Sequence, residues 1–240
     1  MPNGQDATGV DIVFGVALVA TLFMVVRRWR AFWDADFTVE DRRLATQCGV
    51  FVVPPIVVLV HELGHILGAR MVGGRVLGFH YGLIEGSVTV ARGLSDAELW
   101  WVAVSGNLVG TGVGMGLALA GAYGTGLPRA LRRVLLFGGL LQVVFQLVMY
   151  PLLSLSASFG DWTRIYEFEL TPVLSVATAA VHAAVLVATW RWWRSEGRRT
   201  LFDIDHALGS DIAALEAARA AAPGDPQPAM ELAVLYARNG

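Results

Sequence analysis

The sequence predicts an all-α polytopic membrane protein of about five transmembrane helices, with a short membrane-associated β-hairpin and a small C-terminal helical tail. Three observations predict it. The chain is 55% hydrophobic and only 16% charged, against about 25% charged for an ordinary soluble domain. Five apolar stretches approach the ~20 residues that a helix needs to cross about 30 Å of hydrocarbon. Basic residues sit at the ends of those stretches instead of gathering into a patch, and Trp100, Trp101, Trp190, Trp192 and Trp193 lie at span ends, where amphipathic rings favour the interface. A net charge of -2 with no basic face also argues against nucleic acid as a partner. The single cysteine, Cys48, excludes an internal disulfide framework and a Cys-rich zinc knuckle; it reads as a small apolar residue in a span.

The expected spans are roughly 9–26, 48–69, 99–122, 134–155 and 171–190. The first reads as a retained helix and not a cleavable signal, because Asp6 and Asp11 precede or open it and no basic residue stands ahead of it. Residues 72–92 hold two β-favouring runs, VLGFHY and SVTVAR, separated by Gly82 and Gly86, which predicts a hairpin at or in the membrane. In a five-span arrangement Arg27, Arg28, Arg30, Arg42, Arg43, Arg129, Arg132, Arg133, Arg191, Arg194, Arg198 and Arg199 share one side. The other side holds Arg70, Arg75, Arg92 and Arg164, so the positive-inside rule sets the N-terminus outside and the C-terminus in the cytoplasm. Residues 1–195 are thus expected to form the membrane-embedded domain. Residues 196–240 read as a soluble tail of two short helices broken by Pro223, Gly224, Pro226 and Pro228, similar to part of a tetratricopeptide repeat with Leu232 and Tyr236 on one face. Less than one repeat is not stable alone, so this tail must dock, pair with a protein partner or stay mobile.

The second span carries VLVHELGHILGAR, an H-E-x-x-H pattern through His61, Glu62 and His65. Residues four apart lie on one helix face, so both imidazoles can hold one Zn2+ while Glu62 stands beside it as a general base. With five His and nine Glu in 240 positions, chance supplies this pattern about 0.004 times. Ionisable groups inside a span cost about 2.5–3.5 kcal/mol when charged, and therefore call for a metal or a partner. Such a motif gives two ligands where a catalytic zinc takes three from protein, so a third must come from elsewhere.

The motif, with Gly160-Asp161-Trp162 just past the fourth span, resembles the site-2 protease family of intramembrane zinc metalloproteases over about residues 45–190. The resemblance implies that Asp161 is the third zinc ligand; as a residue, it reads equally as a loop acid that caps a helix. Glu167, Glu169 and His182 are the competing ligands, and His182 as a lone mid-span imidazole reads also as a bond to a neighbouring helix. The resemblance further implies that SGNLVGTGVGMG is the small-residue segment after the hairpin, within which Asn107 either donates to the oxyanion or bonds a facing helix. The β segment would pair edge-on with an unwound substrate. Gln142, Gln146 and Tyr150, four apart, would line a water path or bond between helices. The family's Asn-x-x-Pro element has no counterpart here, where YPLLSLSASFGD places Leu153. The chain also lacks room for an inserted PDZ domain between these spans. The implied cofactor is Zn2+, the partners are the lipid bilayer and a membrane-protein substrate with a transmembrane helix, and the location is a bacterial cell membrane, multi-pass. Implied activity is hydrolysis of peptide bonds in or near transmembrane segments, as in regulated intramembrane proteolysis. This resemblance sets the active site nearer the cytosolic side, opposite to the charge-derived orientation, so the exposed face stays open. Two other readings compete: a non-catalytic zinc-binding scaffold that recruits partners through its C-terminal helices, and a metal transporter. Intact Glu62 counts against the first and the absence of repeat symmetry against the second.

Overall fold

The computed structural model describes residues 9–34, 37–124 and 126–239; Asp6 and the side chain of Tyr236 lie outside the described residues. In chain order, α1 (Gly9–Arg27) and the single turn α2 (Trp29–Phe32) lead to α3 (Val39–Phe51) and α4 (Val53–Met71). The hairpin β1 (Val76–Tyr81) and β2 (Gly86–Val90) follows, then α5 (Asp96–Tyr123), α6 (Arg129–Val144), a π-helical turn at Phe145–Met149, α7 (Tyr150–Ala157) and α8 (Asp161–Ile165). The chain ends with α9 (Pro172–Trp192), a second π-helical turn at Trp193–Gly197, α10 (Arg198–Ala221) and α11 (Gln227–Asn239). Four helical stretches among the described residues are long and apolar enough to cross a membrane: Val39–Met71, Asp96–Tyr123, Arg129–Ala157 and Pro172–Leu201. They take in the second to fourth expected spans and all but the first residue of the fifth; α1, 19 residues long, covers the first.

Local chemistry sets the breaks. Thr38 opens α3 with a capping box, its hydroxyl accepting from the Asp41 N–H while the Asp41 carboxylate accepts from the Thr38 N–H. Asp41 is buried and also takes Arg28 Nη2 at 3.3 Å, which ties α3 to the end of α1. Pro54 and Pro55 cannot donate to the turn before them, so the helix interrupts at Val52 and restarts as α4 with its prolines in the first turn. Pro151 does the same to the third long helix, which widens into the π turn just ahead of it. Ser95 and Glu98 form a second capping box, at the start of α5.

The hairpin is a two-stranded antiparallel sheet, with Tyr81 opposite Gly86 and His80 opposite Ser87. Tyr81 donates its hydroxyl to the Pro55 carbonyl at 2.8 Å, which seats β1 on the start of α4. The helices α4 and α5 pack in close contact. A Cβ added at Gly64 would lie 2.9 Å from the Gly106 Cα and the Ser105 carbonyl, so the two backbones touch there.

The expected boundary at 195/196 falls inside continuous helix, because α9 runs through the second π turn into α10. Ile204 of α10 is buried with Phe32, Phe37, Leu44, Ala130 and Leu136, so the start of α10 packs beside α3 and α6. The polarity of the bundle is inverted relative to a soluble protein. His61, Glu62, His65, Asn107, Gln142 and Gln146 are buried, while Ile12, Val16, Phe23, Val173, Val176 and Val181 are exposed.

Candidate metal centre

Helix α4 supplies His61, Glu62 and His65, one turn apart on the face that meets α5. The chain carries Asp161 to the same place at the start of α8, through a turn that needs glycine. Gly160 has φ of +87° and no room for a side chain, since a Cβ there would lie 2.8 Å from Ser154 Oγ and 3.0 Å from the Tyr150 hydroxyl. His61 Nε2 and His65 Nε2 stand 3.0 Å apart, and Asp161 Oδ2 lies 3.0 Å from the first and 3.1 Å from the second. Among the described residues these three side chains form the group that could hold a metal ion.

Proton placement makes the convergence informative. His65 Nδ1 lies 2.7 Å from the Val102 carbonyl, which only accepts, so that nitrogen carries the hydrogen and Nε2 of the neutral ring presents a lone pair. Asp161 Oδ2 already accepts from Asn107 Nδ2 at 3.0 Å and from the Tyr150 hydroxyl at 3.2 Å. Tyr150 accepts in return from the Asp161 backbone N–H. Three acceptor atoms therefore meet at the separation of a shared cation. Ligand atoms around a tetrahedral ion with bonds of about 2.05 Å stand about 3.3 Å apart.

The outer contacts orient the ligands. Gln146 faces His61 Nδ1 at 3.4 Å through its amide nitrogen, and its Oε1 is buried without a partner. Half a turn about χ3 lets Oε1 accept from Nδ1–H, which leaves His61 Nε2 free to ligate. Asn107 donates both Nδ2 hydrogens, one to Asp161 and one to the Ala103 carbonyl at 3.0 Å. In this geometry both of its N–H groups are engaged, one across to Asp161 and one within its own helix. Close approach again needs glycine: a Cβ at Gly106 would lie 2.3 Å from His65 Cε1. Another at Gly86 would lie 2.5 Å from Glu62 Cγ, so β2 rests directly on Glu62.

A cavity of about 640 Å³ opens over the group, walled by Gly86, Ser87 and Val88 on one side and Phe145, Leu153 and Phe159 on the other. Glu62 lines it, and its Oε2 is buried with no hydrogen-bond partner. Gln146 and Tyr150 line the cavity as well as touching the ligands, whereas Gln142 packs on Gly114 away from it. The structure does not bring Glu167, Glu169 or His182 to the group; His182 is held by the Leu147 carbonyl and the Tyr166 hydroxyl. Sequence reasoning missed the Val102 carbonyl, Tyr150 as a holder of Asp161 and Gly106 as the seat of His65. The small-residue run around Gly106 was the one signal for the last. No protein-family model matches this chain, and no curated protein or solved structure matches it either.

Proposed function

We propose that this chain is an intramembrane zinc metalloprotease of the kind its H-E-x-x-H and Gly-Asp elements resemble, which hydrolyses peptide bonds in or near the transmembrane segments of membrane proteins. The observation that carries the reading is the triangle of His61 Nε2, His65 Nε2 and Asp161 Oδ2 with sides of 3.0–3.1 Å, beside an unpartnered Glu62 on a cavity wall. Two imidazoles and one carboxylate suit zinc, and three protein ligands with an open side match a catalytic site, where a structural site would be closed by four. His61, His65 and Asp161 would hold the ion. When bound, it supplies Lewis acidity toward water and toward the substrate carbonyl.

Glu62 takes a proton from the attacking water as the new C–O bond forms, and returns it to the amide nitrogen as the C–N bond breaks. Asn107 and Tyr150 keep the Asp161 carboxylate aimed at the ion, and the Val102 carbonyl does the same for His65. Among the described residues β2 pairs with β1 alone, so its outer edge is open to an extended segment of substrate. Inverted polarity, four helices of spanning length and apolar exposed faces support a bilayer as the solvent.

The test is cleavage of a panel of single-span reporter proteins by the full chain in detergent, wild type against Glu62→Gln, with bound zinc quantified in both. The expected result is cleavage by the wild type, and a variant that retains its zinc but turns over at least 100-fold more slowly, the scale of general-base catalysis. Equal cleavage by both proteins, or stoichiometric zinc with no cleavage of any reporter by the wild type, overturns the reading; the second outcome favours the scaffold.

A further inference from the structure

The metal ligands are carried by elements whose own positions must be fixed, and one imidazole outside the centre joins two of them. Pro151 has no N–H, so the Leu147 carbonyl one turn earlier loses the helical donor it would otherwise have. Left unpaired inside an apolar bundle, that carbonyl would be costly. His182, in the middle of α9, reaches it with Nε2 at 2.7 Å. A carbonyl only accepts, so Nε2 carries the hydrogen, and Nδ1 of the neutral ring accepts from the Tyr166 hydroxyl. The Trp162 ring lies against the same imidazole, with centroids 4.7 Å apart.

Those partners stand on either side of the metal group. Leu147 lies between Gln146, which faces His61, and Tyr150, which holds Asp161. Trp162 directly follows Asp161, and Tyr166 caps the end of the same short helix. Only 6% of the apolar window of α9 is buried in the bundle, so broad packing does not fix this helix and its polar contact through His182 carries unusual weight. We propose that His182 is a positioning residue: by bridging the proline-broken Leu147 carbonyl and the Tyr166 hydroxyl, it sets the spacing of the two elements that aim His61 and Asp161 at the metal. The proposal rests on the metal-centre reading above.

The test loads the full-length protein in detergent with Co2+ and records its visible ligand-field spectrum, with zinc affinity measured by competition against a chromophoric chelator. His182→Ala is expected to lower zinc affinity by about tenfold, the lower end of the range for groups that orient metal ligands, and to shift and weaken the cobalt bands. His182→Gln, which keeps one donor and one acceptor, is expected to restore both within about threefold. Tyr166→Phe, which removes one arm, should move them in the same direction by a smaller amount. Wild-type zinc affinity and cobalt spectrum in His182→Ala, whatever its melting temperature, would overturn the proposal, as would failure of His182→Gln to rescue. Neither readout depends on turnover, so normal metal binding in a chain that cleaves nothing would sink the protease reading alone. A wild type that binds neither ion overturns both.

Discussion

Gly106→Ala is the sharpest single-atom test of the centre. The Cβ of alanine would lie 2.3, 2.4 and 2.7 Å from Cε1, Nε2 and Nδ1 of His65. Ordinary contact between such atoms begins near 3.5 Å, so the ring must retreat by roughly 1 Å or the α4 and α5 backbones must part by as much. Parting would instead open the direct backbone contact of Gly64 with Gly106 and Ser105, where a Cβ at Gly64 would lie 2.9 Å from the Gly106 Cα, and lose its packing. A ring shift of that size exceeds the tolerance of about 0.2 Å on metal–ligand distances. It also stretches the 2.7 Å bond from His65 Nδ1 to the Val102 carbonyl beyond hydrogen-bond range. The expected loss of zinc affinity is about 100-fold, or about 2.8 kcal/mol at 1.4 kcal/mol per tenfold, with about 1–3 kcal/mol of stability lost to overpacking. Competition with a chromophoric chelator reads the first and thermal unfolding in detergent the second. Gly112→Ala, on the same helix with nothing within 4 Å, is the control and should leave zinc affinity unchanged while raising stability by up to about 1 kcal/mol. Wild-type zinc affinity in Gly106→Ala would refute the close approach of α4 to α5 at the centre, and with it the orientation of His65.

Asn107→Ala separates the two roles open to that residue. Loss of a group that holds Asp161 is expected to weaken zinc binding by about 10- to 100-fold, whereas loss of an oxyanion donor would leave zinc in place and cut kcat by about 100- to 1000-fold; zinc titration beside turnover of a reporter tells them apart. Removal of zinc by a chelator is expected to lower the melting temperature, because the folded chain gathers three acceptors that the unfolded chain does not. With free zinc at 100 Kd the linkage is about 2.7 kcal/mol, and an unchanged midpoint after complete removal would count against a folded-state site.

The parts of this molecule legible in its sequence are those fixed by local periodicity. The i, i+4 spacing placed His61 and His65 on one helix face, and glycine punctuation placed the hairpin inside residues 72–92, where β1 and β2 lie. Apolar runs located the helices long and apolar enough to span a membrane, but not their ends. α3 begins at Val39, nine residues before the expected start of the second span, because the Thr38–Asp41 box and the Arg28 contact stabilise a polar extension that hydropathy alone excludes. The continuation of α9 into α10 was likewise invisible, since the sequence turns polar there while the helix runs on. Asp161 was reached by resemblance and not by periodicity, for it meets His61 across 100 residues of chain. Its partners Asn107 and Tyr150 had plausible alternatives, and only tertiary packing brings both to its carboxylate.

Their packing bears on whether the group that could hold a metal would be catalytic or structural. A buried polar network is stable when every member is satisfied, and around this triangle most members are. His65 Nδ1 has the Val102 carbonyl, Asp161 has Asn107 and Tyr150, and rotation of one amide pairs Gln146 with His61. Two oxygens are the exceptions, Asn107 Oδ1 and Glu62 Oε2, each without a partner; of these two residues, Glu62 lines the cavity. A carboxylate oxygen kept buried and unpaired beside a three-ligand group has a physical rationale if a water molecule enters the cavity and gives it a proton, and none if the ion only staples helices together. A structural zinc would take Glu62 as its fourth ligand or replace it by an apolar residue at no cost. The sequence keeps the carboxylate and the fold holds Gly86 against its stem, which favours a base aimed into the cavity.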